Sequence, residues 1–348
     1  MKNKLLLTTA LISGLSVIGS ASFAETKITG EIKTGYKSGE ALSTTVGTNN
    51  GFFRESQLNV TKSGDLNNGL KYSAGFSFES DGNDTAGTSD GSNIVTSDEA
   101  FFIEIGSGST SVLIGLDKFP NVDQSAAPRV AENAGTALGT YAASTYSQSG
   151  NTINQSFTAG VIQKTPIGQI ALNFSPDVAD KGTGDTALVA AGGGNTGYEL
   201  TYRGKPIKAA PGLDIFLGRS VKADNVANAA TASTKDTVET AYSAGYNFGK
   251  FAVGFDRRNR DDYGTINVDI KQTEYSATAA LSDNVSIGIG KIDIDNSSLT
   301  LDEEITYVQV GYNMGAIFSS FGMFDVENGT GVATNEGKLY SARLGVKF

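Results

Sequence analysis

From Lys338 to Phe348 the chain reads KLYSARLGVKF, which sets Tyr340, Ala342, Leu344, Val346 and Phe348 on one face and Ser341, Arg343, Gly345 and Lys347 on the other. A period of two belongs to a strand. The pattern recurs at Leu70, Tyr72, Ala74, Phe76 and Phe78, which alternate with Lys71, Ser73, Gly75, Ser77 and Glu79. It recurs again where Tyr242, Ala244, Tyr246 and Phe248 answer Phe251, Val253 and Phe255 across NFGK. Short breaks fall at 63–69, 106–109, 164–169, 247–250, 282–284 and 313–315, with a somewhat longer one at 203–212. Polar, Gly, Ser, Thr, Asn and Asp-rich stretches lie between them near 38–51, 79–98, 117–152, 175–196, 220–239, 256–271, 291–304 and 325–337. Short and long connections therefore alternate, and together they predict about sixteen strands.

Alternation alone fits a soluble sandwich as well as a barrel in lipid, because each buries one face of every strand. The beginning of the chain helps to choose. Lys2 and Lys4 precede an apolar stretch from Leu5 to Ile18, and Ser22-Phe23-Ala24 offers small residues before Glu25. This predicts a secretory signal over residues 1–24 and a barrel domain over 25–348. The apolar stretch is shorter than the roughly 20 residues of a spanning helix, and Thr8, Thr9 and Ser13 interrupt it. With the asymmetric connections and the aromatic last strand, the reading is an all-β transmembrane antiparallel β-barrel. Its short turns face the periplasm and its long loops face out. Tyr36, Phe78, Phe101, Tyr202, Phe248, Tyr312, Tyr340 and Phe348 are expected in two aromatic girdles.

Composition narrows the chemistry. Gly at 43, Tyr at 13 and Phe at 18 are plentiful, while mean hydropathy is only −0.16, as expected when alternate residues meet lipid. Removal of the signal with its two lysines and no acids leaves 25 basic and 37 acidic residues, net −12. That balance argues against a nucleic-acid partner and leaves small solutes and ions. Cys is absent, so there is no disulfide framework and no thiolate. His is absent as well, which removes Ser-His-Asp catalysis and His-ligated zinc. We expect neither an enzyme nor a cofactor or metal. Asp293, Asp295 and Asn296, and the ESDGND stretch at 79–84, offer oxygen ligands but complete no calcium loop. DRRNRDD at 256–262 reads as a self-neutralised outer loop with some capacity for lipopolysaccharide phosphate.

Two longer stretches carry a family resemblance. SQLNVTKSGDLNNGLKYSAGFSFES (56–80) resembles the second hairpin of general diffusion porins of Gram-negative bacteria. EAFFIEIGSGSTSVLIGLDKFP (99–120) is similar to that family's strand, Gly-rich turn, strand and entry to the third loop. The resemblance implies a homotrimer of sixteen-stranded, water-filled barrels in lipid and lipopolysaccharide, with the third loop folded into the lumen. It also implies that the terminal strand, with Tyr340, Leu344, Val346 and Phe348, serves barrel assembly. The third long stretch, 117–152, is here the longest at 36 residues. Its expected constriction residues are Asp117, Asp123, Arg129 and Glu132, with a short helix around 130–134.

Porins of this kind set loop acids against basic side chains on the facing wall. This chain departs from that pattern. Gln57 stands where the family has Arg, Asp98 or Glu99 where a basic residue is expected, and Leu116 where Arg is usual. Lys33, Gln57 and Lys71 are left as lumen-wall residues. A thinned basic wall against loop acids predicts cation preference, unless Arg219, Arg257, Arg258, Arg260 or Arg343 supplies the missing charge. The expected function is passive diffusion of small hydrophilic solutes and ions. A substrate-selective channel, or a barrel acting as adhesin or structural anchor, stands as the alternative.

Overall fold

The computed structural model describes residues 25–39, 51–66, 68–81, 101–116, 118–128, 157–176, 196–223, 236–263, 268–329 and 336–348. The predicted signal, 1–24, lies outside the described residues. Sixteen strands run in chain order: β1 (Glu25–Gly39), β2 (Gly51–Asp65), β3 (Lys71–Asp81), β4 (Phe101–Ser107), β5 (Thr110–Leu116) and β6 (Thr158–Thr165). They continue as β7 (Gly168–Ser175), β8 (Gly197–Gly204), β9 (Leu213–Lys222), β10 (Thr237–Asn247) and β11 (Phe251–Tyr263). The last five are β12 (Val268–Ala280), β13 (Val285–Asn296), β14 (Glu303–Met314), β15 (Ile317–Glu327) and β16 (Gly337–Lys347). Each pairs antiparallel with its neighbours in sequence, and β1 pairs with β16, so the sheet closes. Closure leaves no strand edge unpaired in lipid.

The seven short turns lie where the sequence places them, and both ends of the barrel domain sit on their side. Phe348 exchanges backbone hydrogen bonds with Gly30 at 2.8 and 3.0 Å. Its ring lies across Gly30, whose missing side chain leaves the room; a Cβ there would stand 2.7 Å from the ring. The strands are strongly staggered. One row of directly opposed residues climbs from Ser63, two residues before the end of β2, through Glu104, Gly160, Glu199 and Glu239 to Asn296, the last residue of β13. Such a climb is the tilt and shear of a closed barrel.

Outward positions are apolar through the middle of the wall, as with Ile28 and Ile32, Leu172 and Phe174, and Leu344 and Val346. Aromatic side chains border them. Tyr242, Phe255 and Tyr275 form one run toward the long loops, with ring centroids 6.1 and 5.4 Å apart. Tyr246, Phe248 and Phe251 form another beside the turns, at 6.1 and 5.9 Å. Tyr36, Phe78, Tyr312, Tyr340 and Phe348 are all exposed on this outer surface.

Two of the expected long loops are much shorter than the sequence suggests, because their flanking strands run on. β11 and β12 leave only 264–267 between them, and β13 and β14 leave 297–302. In β13, Lys291, Asp293 and Asp295 occupy outward positions, while Ile292 and Ile294 are buried inside. Polarity has inverted: beyond the lipid the outer surface meets water, and the apolar face turns inward. Ile292 and Ile294 join Val268, Ile270, Ile305, Tyr307, Phe324, Val326 and Leu339 in one buried cluster. The polar character of DIDIDN thus marks a strand outside lipid.

Candidate functional site

The third long connection is described from Lys118 to Pro128, and this segment lies against the inside of the wall. Apolar contacts pin it at two places. Phe119 packs with inward Phe102, Leu113, Ile162 and Ala171, and Val122 and Ala126 pack with Phe216 and Ala241. Small wall residues make the seat. A Cβ on Gly245 would stand 2.0 Å from the Ala126 carbonyl oxygen, and one on Gly254 would stand 2.3 Å from Pro128. Only glycine lets the two backbones approach this closely.

Hydrogen bonds fix the segment at its carbonyls and amides. Asn173 Nδ2 donates to the Pro120 carbonyl at 2.7 Å, and the Ala126 amide donates to Ser243 Oγ at 2.7 Å. Arg258 makes the central contact. Its Nη2 donates to the Asp123 carbonyl at 2.7 Å, its Nη1 meets the Asp123 carboxylate at 3.3 Å, and its Nε meets Asp256 at 3.0 Å. One inward row higher, Arg260 pairs with Glu239 at 3.0 Å. Arg258 is 0% exposed and Arg260 1%, so these arginines act as struts beneath the loop. Glu199 is also fully buried, and its carboxylate takes a hydrogen bond from the Val122 backbone of the loop. Asp123 and Glu239 are its charged neighbours.

Halfway round the closed sheet, β16, β1 and β2 carry a second inward group of charges. Lys33 lies 2.5 Å from Glu31 and also pairs with Glu55. Arg343 Nη2 is 3.9 Å from Glu55, and Lys37 is close enough to feel Arg343. The wall facing the loop therefore has a basic excess, and the wall beneath the loop has an acidic one.

These positions settle where the expected site residues stand. Asp123 is brought to Arg258, and Lys33 and Gln57 both face the lumen, Gln57 opposite Glu31. Lys71 lies at the short-turn rim, largely exposed and 3.1 Å from Asp65. Tyr340, Leu344 and Val346 face outward on β16, with Phe348 next to its end. Asp117, Arg129, Glu132 and the expected helix lie outside the described residues. The reading of 256–262 as an outer loop is corrected: Asp256 to Asp262 belong to β11, and Arg258 and Arg260 point inward. A parity count from the NFGK turn reveals this. Phe251, Val253 and Phe255 face lipid, so Gly254, Asp256, Arg258 and Arg260 face the lumen. The basic wall facing the loop is thus partly restored by Arg343, while Arg258 and Arg260 lie beneath the loop and Arg219 and Arg257 take outward positions.

The closed sixteen-stranded barrel is matched by known proteins. The profile described as Gram-negative porin matches residues 8–346. The chain belongs to the Gram-negative porin family. Among solved structures, a loop-deletion mutant of OmpT, an outer-membrane protein of Vibrio cholerae, is similar with a TM-score of 0.65 at 12% identity. The alignment covers 94% of this chain and 100% of that one. A mutant of Rh. blastica porin gives a TM-score of 0.59 at 12% identity, covering 93% of this chain and 100% of that one. Among curated proteins none matches the chain. The porin is an outer-membrane channel built from transmembrane β-strands. At these identities the structural likeness speaks for the fold, so its charge pattern is argued from its own residues.

Proposed function

We propose that the porin is a passive channel for small hydrophilic solutes and ions with a weak preference for cations. The observation that carries this reading is the segment 118–128, which is seated on the inner wall from β4 to β11 and narrows the lumen from one side. Strand number sets the bore, the loop reduces it, and fixed charges bias which ions enter. On the loop side Asp123, Glu199, Glu239 and Asp256 outnumber Arg258 and Arg260, and the chain carries a formal net charge of −10. Asp117, Arg129 and Glu132 belong to the same constriction in this reading. Residues 1–24 serve as the export signal, the barrel assembles as a homotrimer among lipid and lipopolysaccharide, and it runs no reaction of its own.

Liposome swelling with sugars of increasing size tests passage, and the reversal potential across a KCl gradient tests charge bias. The reading expects swelling that falls off with sugar size and a reversal potential of cation sign. Anion sign would keep the channel and remove the charge argument. Intact barrels that pass neither sugar nor ion would end the channel reading.

A further inference from the structure

The inner wall beside the short turns of β2 to β5 carries a recess that the constriction does not use. Directly opposed residues form one row there: Glu25 on β1, Ser63 on β2, Ser73 on β3 and Glu104 on β4. The next row toward the turns is Asp65, Lys71, Gly106 and Ser111. Parity puts both rows on the lumen face, which Gln57 shares on β2, Phe102 on β4 and Leu113 on β5. Ser63, Ser73, Gly106 and Ser111 are short and form the floor, while the longer Glu25, Lys71, Glu104 and, on β6, Lys164 form the rim. The space between them is a cavity of about 390 Å³.

Its polar groups are uncommitted, whereas Arg258, Arg260 and Lys33 are tied to carboxylates. Among the described residues, Ser63, Ser73 and Ser111 make no side-chain hydrogen bond, and Glu25, Glu104 and Lys164 have no ion-pair partner. Lys71 meets Asp65 at 3.1 Å, with both side chains largely exposed. The charges cancel: Glu25, Asp65 and Glu104 stand against Lys71, Lys164 and Lys27, the last one inward step along β1 from Glu25. A recess without net charge does not sort ions. What it offers is an array of acceptor-only carboxylates, ammonium donors and hydroxyls that act as either. The row from Glu25 to Glu104 spans three strand spacings, roughly 14 Å at the backbone, which leaves room for two linked sugar rings.

We infer that this recess is a saccharide subsite at the short-turn exit of the lumen, taking a neutral mono- or disaccharide. The inference rests on the channel reading, because solute reaches the recess along the lumen, and it adds a place where solute pauses before release. Glu25 and Glu104 accept from sugar hydroxyls, Lys164 donates to them, and the serines do both. Hydrogen bonds to the charged groups supply most of the affinity, since they are the stronger kind. The opposed Ser63 and Ser73, on strands about 4.8 Å apart, present their hydroxyls side by side to neighbouring hydroxyls of one ring.

Calorimetric titration of the folded barrel with maltose, in a detergent without a sugar headgroup, tests the subsite independently of conductance. The wild type should bind maltose saturably. Glu104→Ala should weaken that binding about tenfold, as the loss of one hydrogen bond to a charged group. Ser73→Val, which removes a hydroxyl and fills the floor, should weaken it about fivefold. Both variants should still form open channels in planar bilayers, which separates a lost subsite from a lost fold, and Lys271→Gln on the outer wall should bind maltose as the wild type does. A wild-type barrel that conducts ions but binds no maltose overturns the subsite and keeps the channel, whereas one that binds maltose and passes no current keeps the subsite and ends the channel. Equal maltose affinity in the wild type and both recess variants overturns the subsite. Tighter binding of glycylglycine than of maltose would assign the recess to zwitterions and also overturn it.

Discussion

Arg258 shows how much a single side chain decides at the constriction. It is fully buried, and it satisfies two carbonyl or carboxylate groups of Asp123 while pairing with Asp256. Removing one partner of a buried pair leaves the others desolvated and uncompensated. Arg258→Met should therefore cost about 3 kcal/mol in unfolding measured by denaturant in detergent. It should also free the loop, seen as larger and noisier single-channel currents. Glu199 makes the opposite case. A buried carboxylate set beside the carboxylates of Asp123 and Glu239 weakens the fold, so Glu199→Gln should raise stability by about 1 kcal/mol with current amplitudes unchanged. The sequence pointed to Asp123 but hid its partner, since three arginines among three aspartates look like solvated loop. Strand parity alone tells Arg258 and Arg260, which point in, from Arg257, which points out.

At the scale of elements, strand alternation was legible almost everywhere, and what failed was the reading of its upper ends. β12 to β14 keep their period of two, but beyond the lipid the apolar residues move from the outer face to the inner one. Asp293 and Asp295 consequently looked like loop residues, although Ile292 and Ile294 between them pack in a buried cluster. An acid on each face of β14 separates the two surfaces. Ile305→Asp places a charge in the cluster and should destabilise the barrel by about 3 kcal/mol, with limited proteolysis cutting the outer ends of β13 and β14 first. Glu304→Ala, one residue away on the outer face, should change stability by less than about 0.5 kcal/mol, because its pair with Lys291 is solvated. Equal effects of the two substitutions would contradict the inversion of polarity.

For the whole molecule, the alternation of short and long connections foretold sixteen strands and a closed sheet, because a barrel in lipid must pair every strand. The seat of the third loop was less visible. Gly245 and Gly254 matter only in relation to a loop that arrives from more than a hundred residues earlier, and no local pattern marks that approach. The same long-range contact governs the channel. A side chain at Gly254 would strike Ala127 and Pro128 while leaving the lipid face of β11 untouched. Single-channel conductance in planar bilayers, comparing the wild-type porin with Gly254→Val, bears most directly on a water-filled lumen narrowed by this loop. The account predicts stepwise open currents in the wild type and a larger step in the variant. A folded barrel that stays closed, or a variant whose step is no larger, would contradict it.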